Sequence, residues 1–233
     1  YGLISQQSAN VSTLNNLAAL LFILPYFIFS ATAGQLADKY ERAQLVRAIK
    51  LLEIIIMLIA TVGFLLGSLW LLLTALFLMG VQSTFFGPIK YAILPEALKP
   101  HELMSGNAIF QSGTSIAILL GMILGGAVIS VSAGNLVWIS LTVVIIALIG
   151  YVSSRFVLTQ RVTAPDIQID WNFFSASFQT LKYAKSLPMI FLILLGNSWY
   201  WFYGATYLTQ IPQLTQQHLH ASENVVSLLL TLF

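Results

Sequence analysis

The sequence predicts an all-α integral membrane protein, a helical bundle fragment with about seven transmembrane helices. Three observations predict it. Apolar types make up 58% of the 233 residues and charged types 8%, against about a quarter charged in a soluble domain. Six apolar segments reach the roughly 20 residues that a helix needs to cross about 30 Å of hydrocarbon. All ten lysines and arginines fall on one side of the hairpins those segments form.

The six segments are Val11–Ala33, Gln44–Leu66, Leu69–Ile89, Asn107–Ser130, Asn135–Val157 and Pro188–Ile211. A seventh starts near Ser222 and runs into the end of the chain. Each must be helical, because an open backbone in lipid leaves unpaired N–H and C=O groups. The chain starts at Tyr1 and stops inside the apolar run VVSLLLTLF. Both ends therefore read as cut from a longer protein, with at least one span before Tyr1.

The connectors alternate between two sides. Gly34–Ala43, Lys90–Gly106 and the long region from Leu158 to Leu187 form one set. Tyr1–Asn10, Leu66–Leu69, Val131–Gly134 and Pro212–Ala221 form the other. Lys39, Arg42, Arg47, Lys50, Lys90, Lys99, Arg155, Arg161, Lys182 and Lys185 all lie in the first set or on span ends beside it. The positive-inside rule makes that set cytoplasmic. Three domains follow: residues 1–157 as an N-terminal bundle, 158–187 as a cytoplasmic linker, and 188–233 as the start of a C-terminal bundle. In the linker, Trp171, Phe174, Phe178 and Leu181 recur at helical spacing, with Asp170 as the expected N-cap. This predicts an amphipathic helix lying on the inner membrane surface.

The net charge of +2 gives no argument for nucleic acid, and the lack of cysteine excludes disulfides and thiolate metal sites. No metal or other cofactor is implied. Acyl-transfer chemistry needs a histidine beside an acid or nucleophile. No His-x4-Asp pattern occurs, and His101, His218 and His220 all sit in expected connectors, so catalysis is not expected. A purely structural anchor leaves the intramembrane polar residues without a purpose.

The sharpest motif is GQLADKYER, Gly34 to Arg42, a polar turn between two spans, with Arg47 one turn further on. Gly34 is expected to permit close helix approach. Asp38 is expected to cap a helix start. The basic residues are expected to pair with acids on a neighbouring helix, with Glu96 as one candidate. Such a cluster can latch a bundle in one state and release it in another. Lys50 and Glu53, three apart on one face, are expected to form a local ion pair.

The pattern Gly34, three residues, Asp38-Lys39, two residues, Arg42 resembles the loop between the second and third helices of the major facilitator superfamily. Glu41 stands where that motif usually has a second glycine. The resemblance implies a major facilitator-type bundle in which residues 1–157 hold the second to sixth helices. The stretches FFGPIKYAILPE (Phe85 to Glu96) and KPHELMSGNAIFQSGTSIAILLGMILGG (Lys99 to Gly126) are similar to the lysophospholipid transporter branch. That branch implies a secondary transporter flipping lysophospholipids, chiefly lysophosphatidylethanolamine, across a bacterial inner membrane for reacylation. The partners implied are the lysophospholipid, membrane lipids, and an acyltransferase or acyl-acyl-carrier-protein synthetase, separate or fused. The alternative on the same fold is an exporter of drugs or other small amphiphiles.

In that frame Lys90 is the candidate for a lipid phosphate, through a charge-assisted hydrogen bond beside the Gly87-Pro88 break. Gln82 lies two turns earlier on the same helix. Asn107 and Gln111, with Thr114 and Ser115, share a polar face of the next span. Gly113, Gly121, Gly125 and Gly126 form a small-residue face expected to pack. In the aromatic last span, Asn197 is the lining candidate, while Tyr203 and Tyr207 belong to an interfacial belt.

Overall fold

A computed structural model describes residues 2–131, 135–158, 164 and 166–217. Eight helices occur among them: α1 (Gly2–Lys39), α2 (Arg42–Leu66), α3 (Leu69–Ala92), α4 (Leu94–Ala97), α5 (Leu103–Val131), α6 (Leu136–Ser154), α7 (Phe173–Lys185) and α8 (Pro188–Gln217). Five of the described helices are long and apolar enough to cross a membrane, and a sixth span arises if α7 and α8 count as one bent pair. The expected seventh span near Ser222, His218, His220 and Arg161 lie outside the described residues.

Contacts divide the chain into two units, Tyr1–Ser177 and Phe178–Phe233. In the first, α1 packs on α3, and α2 packs on both α3 and α6. The α2–α3 turn is tight because Gly67 adopts φ +60° at the end of α2, a conformation that favours glycine. Its N–H and that of Ser68 then satisfy the carbonyls of Phe64 and Gly63. Asn135 caps α6, accepting from the Val137 N–H at 3.0 Å. α5 differs from its neighbours. It packs only lightly, on α4 and α6, and none of its described residues is buried.

The α1–α3 crossing centres on Gly80. A β-carbon there would stand 2.3 Å from the Phe22 carbonyl oxygen and 3.1 Å from Pro25 Cγ. Hydrogen at that position lets the two backbones meet. Close approach therefore belongs to Gly80, whereas a β-carbon on Gly34, Gly113, Gly121, Gly125 or Gly126 would meet nothing within 4 Å. The expectation that Gly34 permits close approach is not met here.

Several boundaries differ from expectation. Gly2–Asn10, expected as a connector, is the first part of α1. Gly34–Lys39, expected as a turn, is its last part. The reason is packing: Ala37 is buried in a core with Val46, Ile49 and Ile89, so helix continues past the apolar span. Asp38 consequently caps no helix start, and Glu41 holds the N-cap position of α2 without a side-chain cap bond. Pro88 does not break α3, which runs through it to Ala92. The next residue, Ile89, is buried in the same core. α8 likewise runs through Pro212 to Gln217, a tolerance common in membrane helices.

The linker is tied to α1. The Ala164 N–H donates to the Asp38 carbonyl at 2.9 Å, and the Asp170 N–H to Gln35 Oε1 at 2.9 Å. Phe173 meets Phe29 edge-on with centroids 4.8 Å apart. Asp170 is thereby held two residues short of the cap position. Asn172 caps α7 instead, its Oδ1 accepting from the Ser175 N–H at 3.2 Å. Asp170 Oδ1 accepts from the Asn172 N–H at 2.8 Å.

In the second unit, α8 carries exposed Trp199, Tyr200, Trp201, Phe202 and Tyr203. The axes of α7 and α8 differ by 116°.

Candidate functional site

Three polar clusters stand on the first unit. The first lies at the end of the bundle that carries the basic residues. Arg42, the first residue of α2, is 5% exposed. Its Nη1 forms an ion pair with Glu96 of α4, and its Nη2 lies 3.9 Å from Asp38 of α1. The short α4 turn, unmarked in hydropathy, presents Glu96 to the guanidinium. Arg42 thus joins three helices, as expected of a basic residue pairing with acids next door. Arg47 donates to the Val157 carbonyl beyond the end of α6, at 3.4 Å. Gly34 and Lys39 complete the motif on α1.

The second cluster is at mid-depth. Glu53 lies 11 residues into the 25-residue α2, about 16 Å along it. Its Oε2 accepts from Lys50 Nζ at 2.7 Å and from Gln82 Nε2 of α3 at 2.9 Å. The Lys50 ammonium lies over the Phe86 ring, 5.2 Å from its centroid. It also reaches α6, 3.5 Å from where a β-carbon on Gly150 would stand. The expected Lys50–Glu53 pair is present, and Gln82 turns out to be its hydrogen-bond partner. A charge-assisted hydrogen bond and a cation–π contact together compensate desolvation of the pair.

The third cluster brings two predicted residues to one ring. The Lys90 ammonium lies over Tyr91, 4.8 Å from its centroid. The Tyr91 hydroxyl donates to Gln111 Oε1 of α5 at 3.1 Å, and Phe110 lies against the same ring. The cation is thereby tethered while Gln111 stays exposed. Asn107, one turn before Gln111, is also exposed. Asn197 is exposed on α8, in the second unit.

Tyr91 and Phe86 were not among the residues singled out from sequence. Each owes its place to a contact between helices, and hydropathy periodicity within one helix carries no trace of that. No group of three or more His, Cys, Asp and Glu suited to a metal occurs among the described residues.

The family model of the Major Facilitator Superfamily matches residues 3–233. The chain belongs to that superfamily. As a major facilitator it is a multi-pass membrane protein, and its all-helical spans fit the family architecture. It is also similar to proteins named Lysophospholipid transporter LplT. The one from Pectobacterium carotovorum is 31% identical over 105 residues, 45% of this chain and 24% of the relative. The one from Photorhabdus laumondii is 30% identical over 112 residues, 46% of this chain and 25% of the relative. The one from Escherichia coli O7:K1 is 27% identical over 193 residues, 80% of this chain and 45% of the relative. This major facilitator chain thus spans less than half the length of the curated relatives it matches. No solved structure matches it.

Proposed function

We propose that this major facilitator chain is part of a secondary transporter that flips lysophospholipids of the lysophosphatidylethanolamine class across a bacterial inner membrane. The observation that carries the reading is the third cluster. It holds a cation at the basic end of α3 beside the polar face of α5, where a phosphate needs both charge and hydrogen-bond donors. The names of the relatives favour a lipid over a soluble solute.

In the orientation given by the positive-inside rule, the basic end faces the cytoplasm. Lys90 takes the phosphate there, and Gln111 and Asn107 contact the glycerol and headgroup; Gln82, deeper along α3, acts by holding Glu53, and Asn197, in the second unit, is a separate lining candidate. The Arg42 cluster holds one state of the rocking cycle and opens in the other. Residues 1–157 form the N-terminal bundle, 158–187 the linker and 188–233 the start of the C-terminal bundle. Lysolipid delivered to the inner leaflet suits an acyltransferase or acyl-acyl-carrier-protein synthetase, separate or fused beyond this chain.

The test is uptake by the whole protein in proteoliposomes. Labelled lysophosphatidylethanolamine is expected to move, and Lys90→Ala to lower its rate by about tenfold, the effect of losing one charge-assisted contact. Lys90→Arg is expected to retain most of the rate. Movement of a soluble solute or cationic drug without any lysolipid movement would reject the reading in favour of export.

A further inference from the structure

Phe29, Thr32, Gln35 and Asp38 follow one another at three-residue steps on α1, and each meets the segment that leads into α7. Residues three apart form one ridge of a helix. Phe29 takes the edge of Phe173 and stacks on Phe85 of α3, with ring centroids 4.8 and 6.0 Å away. The hydroxyl of buried Thr32 donates to the Asp170 carbonyl in a long bond of 3.5 Å. Gln35 Oε1 accepts from the N–H of the same Asp170 at 2.9 Å. The Asp38 carbonyl accepts from the Ala164 N–H at 2.9 Å. The linker thus runs antiparallel to α1 along the last turns of that helix.

The contact with Asp38 does more than hold a loop. An α-helix ends on carbonyls that have no partner inside it. On α1 the Tyr40 N–H takes that of Leu36, and the linker's Ala164 N–H takes that of Asp38. The linker therefore caps α1 from a distant part of the sequence. The capped residue is the one whose carboxylate lies 3.9 Å from Arg42 Nη2. The Asp38 side chain is half exposed, so its place beside Arg42 depends on the turn of backbone that carries it. Gln35, one turn earlier, keeps the linker within reach of that turn by holding Asp170.

We propose that Ala164 and residues 166–173 form a clasp on α1 that opens and closes with the Arg42 cluster, and that Gln35 is the positioning residue of this clasp. It rests on the transporter reading above, in which that cluster opens in one half of the cycle, and adds the element that works it. Docked, the clasp keeps the last turn of α1 helical and Asp38 beside Arg42. Lifted, it gives up the cap, the turn frays, and the carboxylate leaves Arg42. The chain continues from the clasp into α7 and the second unit, so movement of that part of the chain pulls on α1 at the residue that faces Arg42. A few hydrogen bonds and one ring contact are weak enough to be exchanged within a transport cycle.

The test uses the whole protein in vesicles, with cysteines only where they are introduced. In the variant Phe29→Cys with Phe173→Cys the two thiols are bridged by a short bis-methanethiosulfonate. Bridging is expected to lower lysophosphatidylethanolamine uptake by about tenfold or more, and reduction to restore it, because a locked clasp stops the cycle. Neither single-cysteine variant is expected to respond to the reagent. A strap that only stabilises the bundle tolerates the bridge, so uptake that continues through it overturns the clasp as a moving part. A second readout needs no substrate. Ala37→Cys places a thiol in the buried last turn of α1. Gln35→Leu is expected to speed its reaction with N-ethylmaleimide by about tenfold, and Glu96→Gln to do the same, whereas Gln35→Glu, which keeps an acceptor oxygen, changes it by less than about twofold. Gln35→Leu added to Glu96→Gln is expected to bring less than about a twofold further gain, because the cluster is already open. Labelling indifferent to Gln35→Leu, or two gains that simply multiply, overturns the coupling. Coupled labelling in a protein that moves no lysolipid leaves the clasp standing and rejects the lysolipid reading.

Discussion

Arg42 and Glu96 form an ion pair between the first residue of α2 and the four-residue helix α4, 54 positions apart in sequence. The Arg42 side chain is 6% exposed, and that of Glu96 is 29% exposed. Removing the acid takes a close carboxylate from a nearly buried guanidinium, which also lies 3.9 Å from Asp38. Glu96→Ala is therefore expected to lower stability by about 1–3 kcal/mol, below the figure for a fully buried pair because one partner is partly solvated. Thermal unfolding in detergent measures it. The charge swap Arg42→Glu with Glu96→Arg is expected to recover part of the loss. A swap no better than the single variants means that the pair carries no coupling.

Gly80 is the fulcrum of the α1–α3 contact, and the atom opposing it is a backbone oxygen rather than a flexible side-chain tip. Gly80→Ala forces the two helices apart at Phe22 and Pro25. An overpacked site of this kind costs about 1–3 kcal/mol. Gly87→Ala, on the same helix with open space around it, is the control and is expected to change unfolding little. Equal melting of the two variants would show that α1 and α3 do not meet as described.

The spans were legible because hydropathy acts through solvent, and solvent choice is local to each segment. Leu69–Ile89 became α3 and Asn135–Val157 became α6 with shifts of a few residues. The Lys50–Glu53 pair was legible for a similar reason, since both partners sit on one helical turn. Contacts between helices were not. Gln82 reaches Glu53 across 29 residues, and Tyr91 reaches Gln111 across 20. Asp38 was misplaced because a polar residue near a turn reads as a cap, whereas burial of Ala37 beside it keeps the helix going. Asp170 was misplaced because its backbone is already bonded to Gln35, which moves the start of α7 to Phe173.

Orientation is open to direct measurement because the chain has no cysteine. Single cysteines placed at Lys39, Lys182 and Ser68 can be labelled with a membrane-impermeant maleimide in sealed inverted vesicles. Positions 39 and 182 are expected to react, and position 68, in the α2–α3 turn, only after the vesicles are opened. Reaction of 39 and 182 from opposite faces would overturn the positive-inside assignment, and with it the direction of lipid movement proposed above.

The linker helix gives the last prediction. Trp171, Phe174, Phe178 and Leu181 are all more than half exposed, an apolar stripe too large for a surface bathed in water. Lys182 and Lys185 stand at the far end of α7. Aromatic residues on one side with lysines at the end are the make-up of a helix that lies in the headgroup layer. The chain turns by 116° between α7 and α8, so α7 does not continue the line of α8. With the other four tryptophans replaced, Trp171 emission is expected to be quenched by lipids brominated near the headgroup and less by those brominated near the chain end. Replacing Phe174 and Phe178 by serine is expected to weaken that quenching by at least half, with the bonds of Ala164 and Asp170 to α1 left in place. Full exposure of Trp171 to aqueous iodide in lipid vesicles would mean that the stripe meets something other than the bilayer.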